Sequence, residues 1–73
     1  MENTQKIKNA LAEALSTESS QIPDNAAMGL LSGWDSIGHL TVMSHLGAHF
    51  GKDVPFDQIT ELIDIPSLEK FFF

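Results

Sequence analysis

The strongest pattern in this chain lies between Asp35 and Gly51. Ile37, Leu40, Met43, Leu46, Gly47 and Phe50 recur at steps of three and four residues, with Val42 widening the stripe. That spacing puts apolar side chains on one face of a helix, which other parts of the chain must cover. Asp35 stands before the pattern as an N-cap residue, and Gly51 follows Phe50 where a helix end favours a left-handed residue. Only 73 residues are present, 42% of them apolar. A chain of that length buries roughly 60–65% of its unfolded surface, enough for one small core. Residues 1–73 therefore read as a single domain.

The remaining segments supply covering helices. Ile7, Ala10, Leu11, Ala14 and Leu15 predict a helix from about Thr4 to Leu15, capped by Asn3 or Thr4 and ending near the Ser16–Ser20 cluster. A polar, turn-rich stretch with Pro23, Asp24, Asn25, Gly29 and Gly33 then runs to Asp35. It is long for a loop in a small domain, and Ile22, Met28, Leu30, Leu31 and Trp34 are expected to anchor it to the bundle. Phe56, Ile59, Leu62 and Ile63 predict a short third helix with Pro55 near its start. After Pro66 and Ser67, the residues Leu68, Phe71 and Phe72 form the apolar face of a last short helix. Three consecutive phenylalanines span about 200°, so one of Phe71, Phe72 and Phe73 should stay partly exposed. Met28, Met43, Leu46, Ile59 and Ile63 read as core, and Asp57, Glu61 and Asp64 as one solvated helical face. No β-alternation of useful length and no internal repeat appear. The expected class is all-α.

Charge narrows the function. The net charge is −6, with four Lys+Arg against ten Asp+Glu. Binding nucleic acid needs clustered cations to neutralise phosphates, and none is present. An anionic membrane surface is disfavoured for the same reason, and partners with basic patches are favoured. The acidity is uneven, however. Residues 36–50 carry no Asp, Glu, Lys or Arg, only His39, His45 and His49. Cysteine is absent, which excludes disulfides and thiolate metal sites. No apolar run could span a bilayer, and the first residues lack the pattern of a secretory leader. The expectation is a cytoplasmic monomer. Enclosing a substrate and a catalytic constellation would consume much of so small a core, which favours a binding or carrier module over an enzyme.

One segment carries chemistry: Gly33-Trp34-Asp35-Ser36-Ile37-Gly38-His39-Leu40. A serine at a helix start sits where unpaired backbone N–H groups and the positive end of the dipole gather, so a phosphate ester there would be held favourably. Asp35 can cap the helix and could also hold a divalent cation during phosphoryl transfer. Taken alone, Asp35 and Ser36 are equally ordinary helix-start residues.

The wider pattern resembles the acyl carrier and peptidyl carrier protein family. The resemblance rests on Asp35-Ser36-Ile37 with Trp34 and His39-Leu40, the Phe50-Gly51 stop, Pro55, and the Ile65-Pro66-Ser67-Leu68 entry to the last helix. It runs from the first helix through Leu68. It implies a four-helix bundle with a short third helix and a long first loop. It also implies that Ser36 is where a phosphopantetheinyl transferase, using coenzyme A and magnesium, attaches 4′-phosphopantetheine, with Asp35 as the acidic neighbour. Cargo would then ride as a thioester on the arm's thiol, so that a cysteine-free chain takes part in thiol chemistry. Further partners implied are an acyl- or aminoacyl-loading ligase and downstream biosynthetic enzymes, with Trp34, Ile37, His39 and Leu40 as contact candidates. Fatty-acid carriers usually bear several acids on the second helix. Here Gly38, His39, Thr41, Ser44, His45, Ala48 and His49 stand in that region, which points to a specialised pathway instead.

Two rival readings remain at this level. One is a carrier-fold helical interaction module without a prosthetic group. The other is a Ser-His hydrolase built on Ser36 and His39, which lie three apart and could hydrogen-bond. His45 and His49, four apart, have a spacing that can bind one metal, but no third ligand is evident, so no metal site is expected. His39 reads as an exposed helix residue or a partner contact, and Trp34 as loop or core packing or a partner contact.

Overall fold

The computed structural model describes residues 2–73. Four α-helices run in the order α1 (Glu2–Ala14), α2 (His39–Phe50), α3 (Phe56–Ile59) and α4 (Ile65–Phe72), with a single 3₁₀ turn at Ser19–Gln21. No strand occurs among the described residues, and the all-α expectation holds. The apolar stripe of α1 turns Ile7, Ala10 and Leu11 inward, and this helix packs against both α2 and α4. Val42, Met43 and Leu46 from α2 and Leu68 from α4 meet it, each at 1% exposure or less. None of these helices is long and apolar enough to cross a membrane.

Helix α1 ends in a Schellman arrangement. The Thr17 amide donates to the Ala12 carbonyl at 2.8 Å and the Ser16 amide to that of Glu13 at 3.3 Å. Ser16 takes the left-handed conformation this closure needs, with φ 55°. Helix α2 ends on Gly51 at φ 66°, as its sequence position predicts. Helix α4 starts with a reciprocal capping box. Asp64 Oδ1 accepts from the Ser67 amide at 2.9 Å, and Ser67 Oγ accepts from the Asp64 amide at 3.3 Å.

The long first loop is held in place. Ile22 and Ala26 are buried, and the Met28 amide donates to the Ile63 carbonyl at 2.7 Å, tying the loop to the α3–α4 connection. A small closed turn follows, in which the Gly29 amide donates to the Trp34 carbonyl at 2.6 Å. Gly29 (φ 95°) and Gly33 (φ 87°) supply its left-handed positions. Trp34 closes the turn and plugs into the core with no exposed surface. Of the expected anchors, Leu30 alone points outward, 68% exposed.

Several expectations need correction. The regular part of α2 begins at His39, because residues 35–38 form a capped turn ahead of it. Helix α3 is only four residues long, so Leu62 is buried beyond its end, Ile63 is 37% exposed, and Phe56 points into solvent at 83%. Asp64 is the cap of α4, half-buried, and does not share a helical face with Asp57 and Glu61. At the C-terminus Phe71 and Phe72 are half-buried and Phe73 is 51% exposed, as three consecutive aromatics on one helix require.

One ion pair reports on pH. Lys8 Nζ of α1 donates to Asp24 of the loop, and this hydrogen bond, together with the lysine charge, lowers the Asp24 pKa from 3.8. A carboxylate lowered in the folded state contributes stability above its unfolded pKa and loses it as pH falls through the folded value. Acid titration is therefore expected to expose a stability loss below about pH 4 that Lys8→Met removes, read as the difference in urea midpoints of the two proteins. Asp24 is solvent-exposed, so the effect is small.

Candidate functional site

The turn from Trp34 to His39 is held by five hydrogen bonds and one close backbone contact. Trp34 Nε1–H donates to His39 Nδ1 at 2.9 Å, inside the core. Indole nitrogen is only a donor, so Nδ1 is the acceptor and the imidazole carries its proton on Nε2. That Nε2–H points to the Ile59 carbonyl at 2.7 Å and secures the last residue of α3 to the start of α2. Asp35 Oδ1 accepts from the Ile37 amide at 3.1 Å and the Gly38 amide at 2.7 Å, while the Asp35 carbonyl accepts from the His39 amide at 2.8 Å. Gly38 packs so closely that a Cβ there would lie 2.2 Å from the Gly33 carbonyl oxygen.

Ser36 rides on this frame, exposed, with its neighbours on either side committed to holding the backbone. Asp35 thus caps the turn ahead of α2 through one carboxylate oxygen, whereas the N-cap position of the helix itself falls on Gly38, and Oδ2 takes no part in the turn. Beside Ser36 lies a cavity of about 300 Å³ lined by Met28, Ser36, His39, Leu40, Phe56, Ile59 and Thr60. Its lining is mainly apolar. Two of the lining residues, Phe56 (83%) and Leu40 (55%), are exposed apolar side chains, and Ile37, next to Ser36 in the chain, is 89% exposed.

The two aromatic contact candidates are therefore not on the surface. Trp34 is fully buried and His39 is 5% exposed, so both act from within the fold. The uncharged sequence around His39 concealed this, because a histidine on a polar helix start looks solvated until its tertiary partners are known. Ile37 and Leu40 do face outward. Phe56, which periodicity assigned to the apolar pattern of the short third helix, joins them, and no sequence signal separates an exposed first residue of a one-turn helix from a buried one. Both ring nitrogens of His39 are engaged, one by Trp34 and one by Ile59. The imidazole therefore has no nitrogen left to accept the Ser36 proton, and the Ser-His hydrolase reading fails on geometry. His45 and His49 lie elsewhere on α2, against Glu13 of α1, a third donor group that sequence spacing does not reveal.

The residues fit a phosphopantetheine arm. The hydroxyl is accessible, the turn is rigid, and an apolar cavity adjoins it for the organic part of the arm. Comparison with known proteins agrees. A family model described as "Phosphopantetheine attachment site" matches residues 5–72. No curated protein matches at a significant level. Proteins of that family carry covalently attached 4′-phosphopantetheine, are themselves non-catalytic carriers, and work with transferases and biosynthetic enzymes. With the match covering nearly all of the sequence, and the helical bundle and exposed serine turn in place, this chain belongs to the phosphopantetheine-binding carrier family.

Proposed function

We propose that Ser36 is the attachment point of 4′-phosphopantetheine, and that residues 1–73 act as one carrier domain for an acyl or aminoacyl intermediate. The observation that carries this reading is the exposed Ser36 hydroxyl, held on the Asp35-capped turn beside the apolar cavity. When bound, the arm supplies a terminal thiol on which cargo is held as a thioester. The protein's own part is presentation. Asp35 and the Trp34–His39–Ile59 hydrogen bonds keep the Ser36 backbone fixed while a transferase approaches, and the carboxylate oxygen outside the cap is available to a magnesium ion in that complex.

Partner choice follows from the same surface. Thr41, Ser44 and Ala48 are exposed on α2 and carry no charge. Ile37, Leu40 and Phe56 offer apolar contact instead. Enzymes that dock by apolar contact, a loading ligase and downstream enzymes of a specialised pathway, suit this face better than the strongly basic docking patches that serve bulk fatty-acid carriers. A cytoplasmic monomer meeting each enzyme in turn completes the proposal.

Intact mass after incubation with coenzyme A, magnesium and a broad-specificity phosphopantetheinyl transferase tests it. Wild type is expected to gain one phosphopantetheine, and Ser36→Ala none. A panel of transferases that leaves wild type unmodified, with the helical fold verified by circular dichroism, would overturn it in favour of an interaction module. Modification of Ser36→Ala would place the attachment elsewhere.

A further inference from the structure

We propose that Glu13, His45 and His49 form a binding site for a borderline divalent cation, zinc above all, linking α1 to α2. His45 and His49 are one helical turn apart and stack with ring centroids 6.5 Å apart. Glu13, near the C-terminal end of α1, reaches between them. Its Oε2 lies 3.1 Å from His49 Nδ1 and 3.5 Å from His45 Nε2, and all three donor atoms fall within 4.8 Å of one another. Zinc bound at about 2.0–2.1 Å to each of two tetrahedral ligands sets those ligands roughly 3.3 Å apart. Two of the three separations already match that spacing.

A second observation points the same way. His45 Nε2 has essentially no accessible surface and no hydrogen-bond partner among the described residues. A polar ring nitrogen removed from water usually has a partner, and a metal ion on the Glu13 side would provide one. Two imidazoles and one carboxylate suit zinc, whose fourth position water would fill, whereas magnesium and calcium prefer all-oxygen sets. The site is separate from the serine turn, since the ten residue steps from His39 to His49 span about 15 Å of helix. Its effect would be structural, joining the end of α1 to the second half of α2.

Zinc chloride titrated into the full chain at pH 7.5, followed by calorimetry and by thermal melts with and without a chelator, tests the proposal. One zinc per chain is expected, and zinc at a hundredfold excess over its Kd should raise Tm by roughly 10–20 °C. Glu13→Gln and His49→Ala should each weaken binding by about tenfold or more. In nitrogen NMR, His45 Nε2 and His49 Nδ1 should shift while the two nitrogens of His39 stay unchanged. A wild-type Tm insensitive to zinc would overturn the proposal. So would equal affinity in the His45→Ala/His49→Ala double variant, or a Glu13 dependence of stability that follows pH but ignores the metal, which marks a plain ion pair.

Discussion

Trp34→Ala is expected to remove a large share of the protein's folding stability. The indole is the largest fully buried side chain, and its removal opens a cavity where the loop meets the helices. Truncations of this kind cost about 3–5 kcal/mol. A chain of this size has roughly 4–11 kcal/mol of total stability, and with no cysteine it has no disulfide to limit the loss. Trp34→Phe separates packing from hydrogen bonding. It keeps most of the bulk but strips His39 Nδ1 of its donor inside the core, a change worth about 1–3 kcal/mol. Urea denaturation followed by circular dichroism reads both. A loss under about 1 kcal/mol for Trp34→Ala would mean that the indole does not hold the loop to the bundle.

Gly38→Ala is expected to damage the serine turn without touching Ser36. The backbone of Gly38 is right-handed, φ −79°, so alanine meets no conformational penalty there. The obstacle is space. The added Cβ would stand 2.2 Å from the Gly33 carbonyl oxygen, a backbone atom that cannot rotate away. Relief requires the two strands of the turn to separate by about 1 Å, which costs roughly 1–3 kcal/mol by analogy with other overpacked sites. Displacing a reacting hydroxyl by that distance slows chemistry by up to about a hundredfold. The transferase rate on Gly38→Ala, measured at a temperature where circular dichroism shows it folded, is therefore expected to fall at least tenfold. Gly51→Ala is the control. Its left-handed φ of 66° makes alanine unfavourable by about 1 kcal/mol, but nothing lies within 4 Å of the new methyl and the modification rate should hold. Equal rates in wild type and Gly38→Ala would show that the close approach of Gly33 does not position the hydroxyl.

The sequence by itself determined the helical class, the buried Met43–Leu46 part of the α2 stripe and the Gly51 stop. Each depends on interactions between residues a few positions apart, which periodicity and capping chemistry report directly. Only the tertiary structure decided the rest. His39 is buried because Trp34, five residues before it, and Ile59, twenty after it, satisfy both ring nitrogens. Gly38 must be glycine because the Gly33 carbonyl approaches it, not because of its own φ. Phe56 is exposed because α3 stops after one turn, and Glu13 completes a triad with His45 and His49 because α1 lies against α2. A local pattern gives a side chain's direction on its own helix. Which atom waits there depends on distant segments, and packing alone brings those into contact.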